Sequence, residues 1–349
     1  MIETISPAVG PPETVIALTG SNFAGATAVM FGSVAAETFT VLSDTELTAV
    51  SPAQAAGGVD VIVNGPGGSS NDARFDVLAA VQVAAGVDYS CARTRSLTVR
   101  CWGYNGSGQS SGFASPPAGS FRSVDAAAYH SCGQLLDSTL TCWGWDYLGQ
   151  ASPPPGVFSA YSIWAGYGCG VMADASLRCW GGASPANLPT GQFLRVSAGV
   201  YHACGLKIDQ TVVCWGRNSD GESTAPTGEF LSVGAGRSGS TGGFSCGIRV
   251  DRTLSCWGAP FYGRTNPPAG EFKHLSVGYA FNCAVRIGGE LACWGRDDGS
   301  GETFPPAGNN FVSVAVGTRH ACAVRLDDRV VCWGDNFWGQ ATPPNGGAL

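Results

Sequence analysis

The sequence predicts an all-β chain, a small β-sandwich followed by a seven-bladed β-propeller with one disulfide per blade. Three observations predict it. Fourteen cysteines fall into seven pairs of one spacing, each second cysteine opens a Cys-Trp-Gly triplet, and the cysteine-free first 79 residues read as short alternating strands. We place the domains at residues 1–79 and 80–349.

The pairs are Cys91 and Cys101, Cys132 and Cys142, Cys169 and Cys179, Cys204 and Cys214, Cys246 and Cys256, Cys283 and Cys293, and Cys322 and Cys332. The tryptophans after the second cysteines, from Trp102 to Trp333, are spaced by 41, 37, 35, 42, 37 and 39 residues. A period of that length signals propeller blades or solenoid repeats. FVSVAVG, HACAVRL and RVVCWG are short, apolar-rich and bounded by turn residues, with no helical periodicity, which favours the propeller.

Antiparallel strands joined by a tight turn bring residues about ten apart face to face, a separation that suits a disulfide. Seven hairpin staples are therefore expected, with buried free thiols as the alternative. Zinc sites and redox motifs need closer clusters than this spacing provides, so no metal and no cofactor is expected. In the chain-entropy model each short loop contributes about 3 kcal/mol. Complete pairing points to an oxidising compartment, extracellular or at the cell surface.

MIETISPAVG has neither a basic n-region nor an apolar h-region, so no signal peptide is read. A leader already removed, or release by lysis, would reconcile the two readings; the latter makes a virion the alternative location. No apolar stretch is long enough to cross a membrane, and membrane insertion is not expected. Residues 1–80 hold one basic residue, Arg74, against eight acidic ones, 1 − 8 = −7, which leaves the remainder with 18 of each sign. A neutral propeller beside an acidic unit gives no electrostatic footprint for nucleic acid.

The first segment carries ISPAVGP, ALTGSNF, MFG, SDTELTAVSP and a closing Gly-Gly. It resembles the TIG/IPT immunoglobulin-like domain, which implies an immunoglobulin-like β-sandwich serving as a spacer or docking module, with possible attachment to a larger assembly. FVSVAVGTRHACAVRLDDRVVCWGDNFWGQATPP resembles the repeats of the regulator of chromosome condensation family, in the pattern of the β-lactamase inhibitory protein II type. The paired cysteines are similar to those of crinkly-type receptor ectodomains. The resemblance implies a seven-bladed propeller but no single function, because such relatives include an exchange factor, an enzyme inhibitor and receptor ectodomains.

Catalysis requires convergent polar groups, and none is evident. His130, His202 and His320 each stand two residues before a first cysteine, a repeat position expected to cap a turn or fill a blade edge; His274 stands alone in EFKHLSV. No strand-to-helix G-x-S-x-G elbow is read, since no helix-length stretch follows one, and there is no P-loop or H-E-x-x-H. The run from Arg296 to Glu302 reads as a solvated turn, with calcium as the alternative.

Strand order separates two faces. Turns between the second and third strands carry Arg93, Asp137, Asp251 and Asp327 on a lower side. Segments after Cys-Trp-Gly lie on the upper side and hold Tyr104, Trp145, Tyr147, Phe261, Tyr262, Phe337 and Trp338; Tyr89, Tyr129, Tyr167, Tyr201 and Tyr279 join them from the first turns. These tyrosines either face solvent or pack between blades. Aromatic residues concentrate at binding surfaces, and in the inhibitory relatives the corresponding loops meet the partner. The expected function is non-enzymatic binding or adhesion toward a protein or glycan, with a virion or surface-layer component as the alternative.

Overall fold

The computed structural model describes all residues except 11–13, 53–56, 78–80, 107–114, 183 and 237–241. The protein is all-β and divides into two compact units, Met1–Ala80 and Val81–Leu349.

The first unit packs two sheets. One has the order Ile2–Ser6, Val15–Gly20, Glu46–Val50 and Thr38–Val41; the other is built on Ala73–Val77, Gly57–Gly65 and Ala28–Phe31. Alternation in Val15–Gly20 places Ile16 and Leu18 inside, where they meet Leu47, Val29, Phe31, Val61 and Phe75. Phe31 and Phe75 cross edge to face at 5.6 Å.

The second unit consists of seven three-stranded antiparallel sheets, from Gln82–Ala85, Tyr89–Arg93 and Val99–Gly103 to Phe311–Val316, His320–Arg325 and Val330–Gly334. They are the blades of a β-propeller. In each blade the two cysteines stand directly opposite on the second and third strands, and all seven disulfides are formed.

What joins one blade to the next is a repeated set of bonds at three levels. On the lower side, each first strand of blades two to seven opens with a buried phenylalanine: Phe121, Phe158, Phe193, Phe230, Phe272 and Phe311. Its N–H donates to a turn carbonyl of the preceding blade, for example Phe121 to Leu97 at 2.7 Å and Phe311 to Gly289 at 3.0 Å. The first blade has no such phenylalanine, and Leu349 joins Val81, Val83, Trp102, Val324 and Val330 in one cluster there.

Along the axis, side chains of one inner strand accept backbone N–H groups of the next. Asp125 Oδ2 accepts from Ile163 (3.1 Å), Ser162 from Ala198 (3.1 Å), Ser197 from Ala235 (3.0 Å) and Ser276 from Val316 (2.9 Å). The inner strands of blades two to seven share one irregularity, a register shift after the phenylalanine that leaves one residue bulged.

The upper level carries an indole bond at five boundaries, while the buried Trp215 Nε1 has no partner among the described residues. The indole N–H of Trp102, Trp180, Trp257, Trp294 and Trp333 donates to the carbonyl of Gln340, Gln150, Glu222, Arg264 and Glu302 respectively, at 2.9–3.0 Å. Each acceptor belongs to the segment that follows the preceding blade; Gln340, after the seventh, closes the ring onto the first. Ser90, Ser245 and Asn282 donate to the same carbonyls at 3.1 Å.

The repeat histidines belong to this seam. His320 Nε2 meets Ser90 Oγ at 2.8 Å, and His202 Nε2 meets Ser245 Oγ at 2.9 Å. Because each serine hydroxyl donates to a carbonyl, it accepts from the imidazole Nε2–H. The repeat position equivalent to Ser90 and Ser245 in the blade after His130 is Gly168, which has no hydroxyl, and the His130 ring nitrogens have no partner among the described residues. Tyr89 and Tyr167 occupy the same repeat position and donate to the carbonyls of His130 and His202, both at 2.8 Å.

Burial holds all four imidazoles near pKa 4. The unfolded chain takes up their protons from about pH 6.5 downward while the folded chain does not, so stability is complete above that pH and falls toward pH 4. Melting temperature should be flat from pH 8 to 7 and decline between pH 6.5 and 4. A His202→Gln, His320→Gln double variant should lose about half of that slope; an unchanged slope would show that these histidines do not carry it. Separately, removing one bridge by Cys283→Ser and Cys293→Ser should cost about 3 kcal/mol in denaturant unfolding and leave the far-ultraviolet spectrum unchanged.

Candidate binding face

The segment after each Cys-Trp-Gly triplet returns over the first turn of its own blade. Tyr104 N donates to Asp88 O, Trp145 N to Tyr129 O, Arg217 N to Tyr201 O, Arg296 N to Ala280 O and Asp335 N to Arg319 O. The two loop sets therefore share one end of every blade. Close passage of backbone over backbone requires glycine in the triplet: at Gly334, φ is +91°, and a Cβ would stand 2.6 Å from the Arg319 carbonyl oxygen.

Beyond this contact the loops share a frame. Asp146, Asn218 and Asn336 turn their side-chain oxygens back onto the N–H five residues on, at 2.7, 2.9 and 2.8 Å. Gln150, Glu222 and Gln340 then cap the N–H two residues before them at 2.8 Å while their carbonyls receive the next blade's indole or serine. One residue thus fixes the loop with its side chain and the blade seam with its backbone.

The frame leaves two consecutive positions displayed: Tyr147 and Leu148, Ser219 and Asp220, Phe337 and Trp338. Tyr147 is 83% exposed and Phe337 79%, values that mark side chains with little to pack against. Phe261 and Tyr262 are also exposed, on a short 3-10 turn. Trp145 is half-buried; it stacks on Tyr147 at 6.1 Å and meets Tyr129 edge to face at 5.8 Å. Trp338 lies 4.9 Å from Phe337 and 4.7 Å from half-buried Tyr104, which joins the first and last blades into one patch. Arg296 covers the Tyr262 ring at 4.9 Å.

The seven aromatics expected on the upper side therefore form three groups: Trp145 with Tyr147, Tyr104 with Phe337 and Trp338, and Phe261 with Tyr262. The tyrosines of the first turns divide. Tyr89 and Tyr167, two residues before a cysteine, are buried between blades, whereas Tyr129 and Tyr201, three residues before, are exposed. Phe304, 76% exposed, escaped the sequence reading because it follows the Gly-Glu of its loop instead of preceding it.

Arg93 departs from the expectation of a solvated lower turn. It is buried at 1% exposure, and its pKa falls to about 10 through burial, offset in part by Asp328. It lies at the end of a second strand whose five residues are all buried. By contrast Asp137 and Asp251 are solvated, each accepting the N–H and hydroxyl of a threonine two residues on. Hydrogen bonding to Thr139 and Thr253 keeps both carboxyls below the usual range.

The run Arg296 to Glu302 is a self-capped turn. Asp297 accepts from Gly299 N (2.7 Å), Gly301 N (3.3 Å) and Thr303 Oγ1 (3.1 Å), and Glu302 accepts from Asp298 N (3.1 Å) and Ser300 N (3.3 Å). Among the described residues no group of three or more His, Cys, Asp or Glu is arranged to hold a metal.

Asn336→Ala should remove the bonds to Ala341 and Thr342 that hold the Phe337 and Trp338 loop. A loss of about 1 kcal/mol is expected in denaturant unfolding, with faster tryptophan anisotropy decay at Trp338. Unaltered Trp338 dynamics would mean that the frame does not set the display.

The IPT/TIG domain family matches residues 1–77, and the regulator of chromosome condensation (RCC1) repeat family matches residues 80–109, 193–222 and 311–340. Among solved structures, the chain is similar to the entire ectodomain of the receptor kinase CR4 from Physcomitrella patens. Identity is 23%, coverage 73% of this chain and 74% of that one, and the TM-score 0.60. It is similar to the CRINKLY WD40 ectodomain of the Arabidopsis thaliana receptor kinase ACR4, at 23% identity, 75% and 96% coverage and a TM-score of 0.61. It also resembles the C-terminal domain of gp131 from bacteriophage phiKZ, at 12% identity, 76% and 95% coverage and a TM-score of 0.51. At these identities the likeness is one of fold. No curated protein matches the sequence. The chain thus carries an IPT/TIG domain followed by a propeller of RCC1-type repeats.

Proposed function

We propose that the chain is a non-enzymatic extracellular binding protein whose propeller recognises a protein or glycan through the aromatic upper face, with the IPT/TIG unit as docking module or spacer. One observation carries the reading: a loop frame shared by three blades displays side chains that differ from blade to blade, Tyr147 and Phe337 with Trp338 among them. Phe261 with Tyr262 adds a further exposed aromatic pair from another loop. Exposed aromatic clusters of this kind supply the anchors of recognition surfaces. The bond patterns support a binding role over catalysis, since His202 and His320 are engaged between blades and His130 is sealed there. Seven disulfides support an oxidising location, and the receptor ectodomains that share the fold are consistent with it.

Capture on a glycan array and from a panel of candidate surface proteins, followed by two variant sets, tests the proposal. Alanine at Trp145, Tyr147, Phe261, Tyr262, Phe337 and Trp338 should abolish capture, because truncating a central aromatic anchor commonly costs about 2 kcal/mol or more. Alanine at Asp137, Asp251 and Asp327 should leave it nearly intact. Loss with the second set and retention with the first would overturn the assignment. Capture by residues 1–78 alone, as strong as that of the whole chain, would move recognition to the IPT/TIG unit and make the propeller displayed cargo, as in a virion or surface-layer component.

A further inference from the structure

The inner strands enclose a channel whose lining is mostly alanine, serine and valine, apart from one sector. In blades four to six the residues just after the opening phenylalanine are Leu194 and Arg195, Leu231 and Ser232, and Lys273 and His274. Arg195, Ser232, Lys273 and His274 line a cavity of about 360 Å³ with Tyr161 and Ser197, and it adjoins a second of about 410 Å³ along the channel.

The charged residues that line the smaller cavity are of one sign. Arg195 and Lys273 are exposed at the channel mouth, and neither makes an ion pair among the described residues. Glu229 and Glu271, close in sequence, line neither cavity. Asp125, the carboxylate of the larger cavity, binds the N–H groups of Ala126 (2.9 Å) and Ile163 (3.1 Å). The Tyr161 hydroxyl donates to Cys132 O at 3.0 Å.

Two polar atoms of half-buried residues that line the smaller cavity have almost no exposed area and no protein partner among the described residues: His274 Nδ1 and Ser232 Oγ. The bulge that follows each phenylalanine brings both residues to the channel wall. Burial first, then the charges of Arg195 and Lys273, lower the His274 pKa to about 4. A buried donor without a partner costs free energy, and a charge-assisted bond to an anion is the interaction that would recover it.

We propose that this sector of the channel binds a small oxyanion of the phosphate or sulfate kind, with Arg195 and Lys273 supplying charge and Ser232 and His274 supplying hydrogen bonds. The site is separate from the upper aromatic face and does not depend on it. Inorganic phosphate titrated into the full chain at constant ionic strength should shift the His274 ring resonances saturably in NMR spectra. His130, His202 and His320, held between blades, serve as internal controls and should not move.

An Arg195→Gln, Lys273→Gln double variant should weaken binding by about tenfold or more, and Ser232→Ala by less. Both variants replace residues at the channel wall, and an unchanged melting temperature without phosphate verifies that they fold. The proposal is overturned if chloride produces the same shift as phosphate, if the double variant binds with wild-type affinity, or if no saturable shift is seen in the wild type.

Discussion

The sheet of each blade ends at its third strand, so beyond main-chain bonds such as the one at each phenylalanine, a ring of seven stays closed through bonds that side chains supply. The carbonyl of the residue at the Gln340 position receives those of the upper level. That oxygen takes the next blade's indole N–H, with a serine or asparagine beside it at three boundaries. The same residue's side chain closes the loop before it, so the bond that holds two blades together also fixes the loops between them. Leu349 covers the one boundary that lacks a phenylalanine.

This coupling explains why the sequence can vary where it does. Trp102, Gly334 and Gln340 each satisfy a backbone or indole group whose loss would leave a buried polar atom unpaired. The side chains at the two positions after Asp146 and Asn336, Tyr-Leu and Phe-Trp, satisfy no polar group of the frame, whereas Ser219 and Asp220 after Asn218 bond Arg217 and Gly243. A rigid frame also lowers the entropy lost when such side chains bind a partner. The disulfides act on a different part of the blade: they clamp the second strand to the third and leave the seams to hydrogen bonds.

Much of this was legible in the sequence because the repeat is exact in its cysteines. Constant spacing gave the hairpins, their pairing and the strand order, and strand order separated an aromatic end from one rich in Asp and Arg. What stayed illegible depends on single-residue offsets and on neighbours distant in sequence. Tyr89 and Tyr129 differ by one position relative to the cysteine, which sends one between blades and the other to solvent. The bulge after each phenylalanine has no marker in composition, yet it turns Ser232 and His274 toward the channel. Arg93 reads as a turn residue like its repeat counterparts, yet it is buried, with the charge of Asp328 from the last blade acting on it. The double use of Gln340 and Glu302 could have been suspected from the recurring Gly-Gln and Gly-Glu, which stand after the variable pair in five loops.

Native-state hydrogen exchange of the tryptophan indoles tests the account most directly, since each reports one seam. Trp102, Trp180, Trp257, Trp294 and Trp333 should exchange slowly and with the same free energy as global unfolding of the propeller, Trp102 no faster than the rest. An indole of Trp102 that exchanges by local opening, while the other four remain protected, would show that the Gln340 carbonyl does not close the ring.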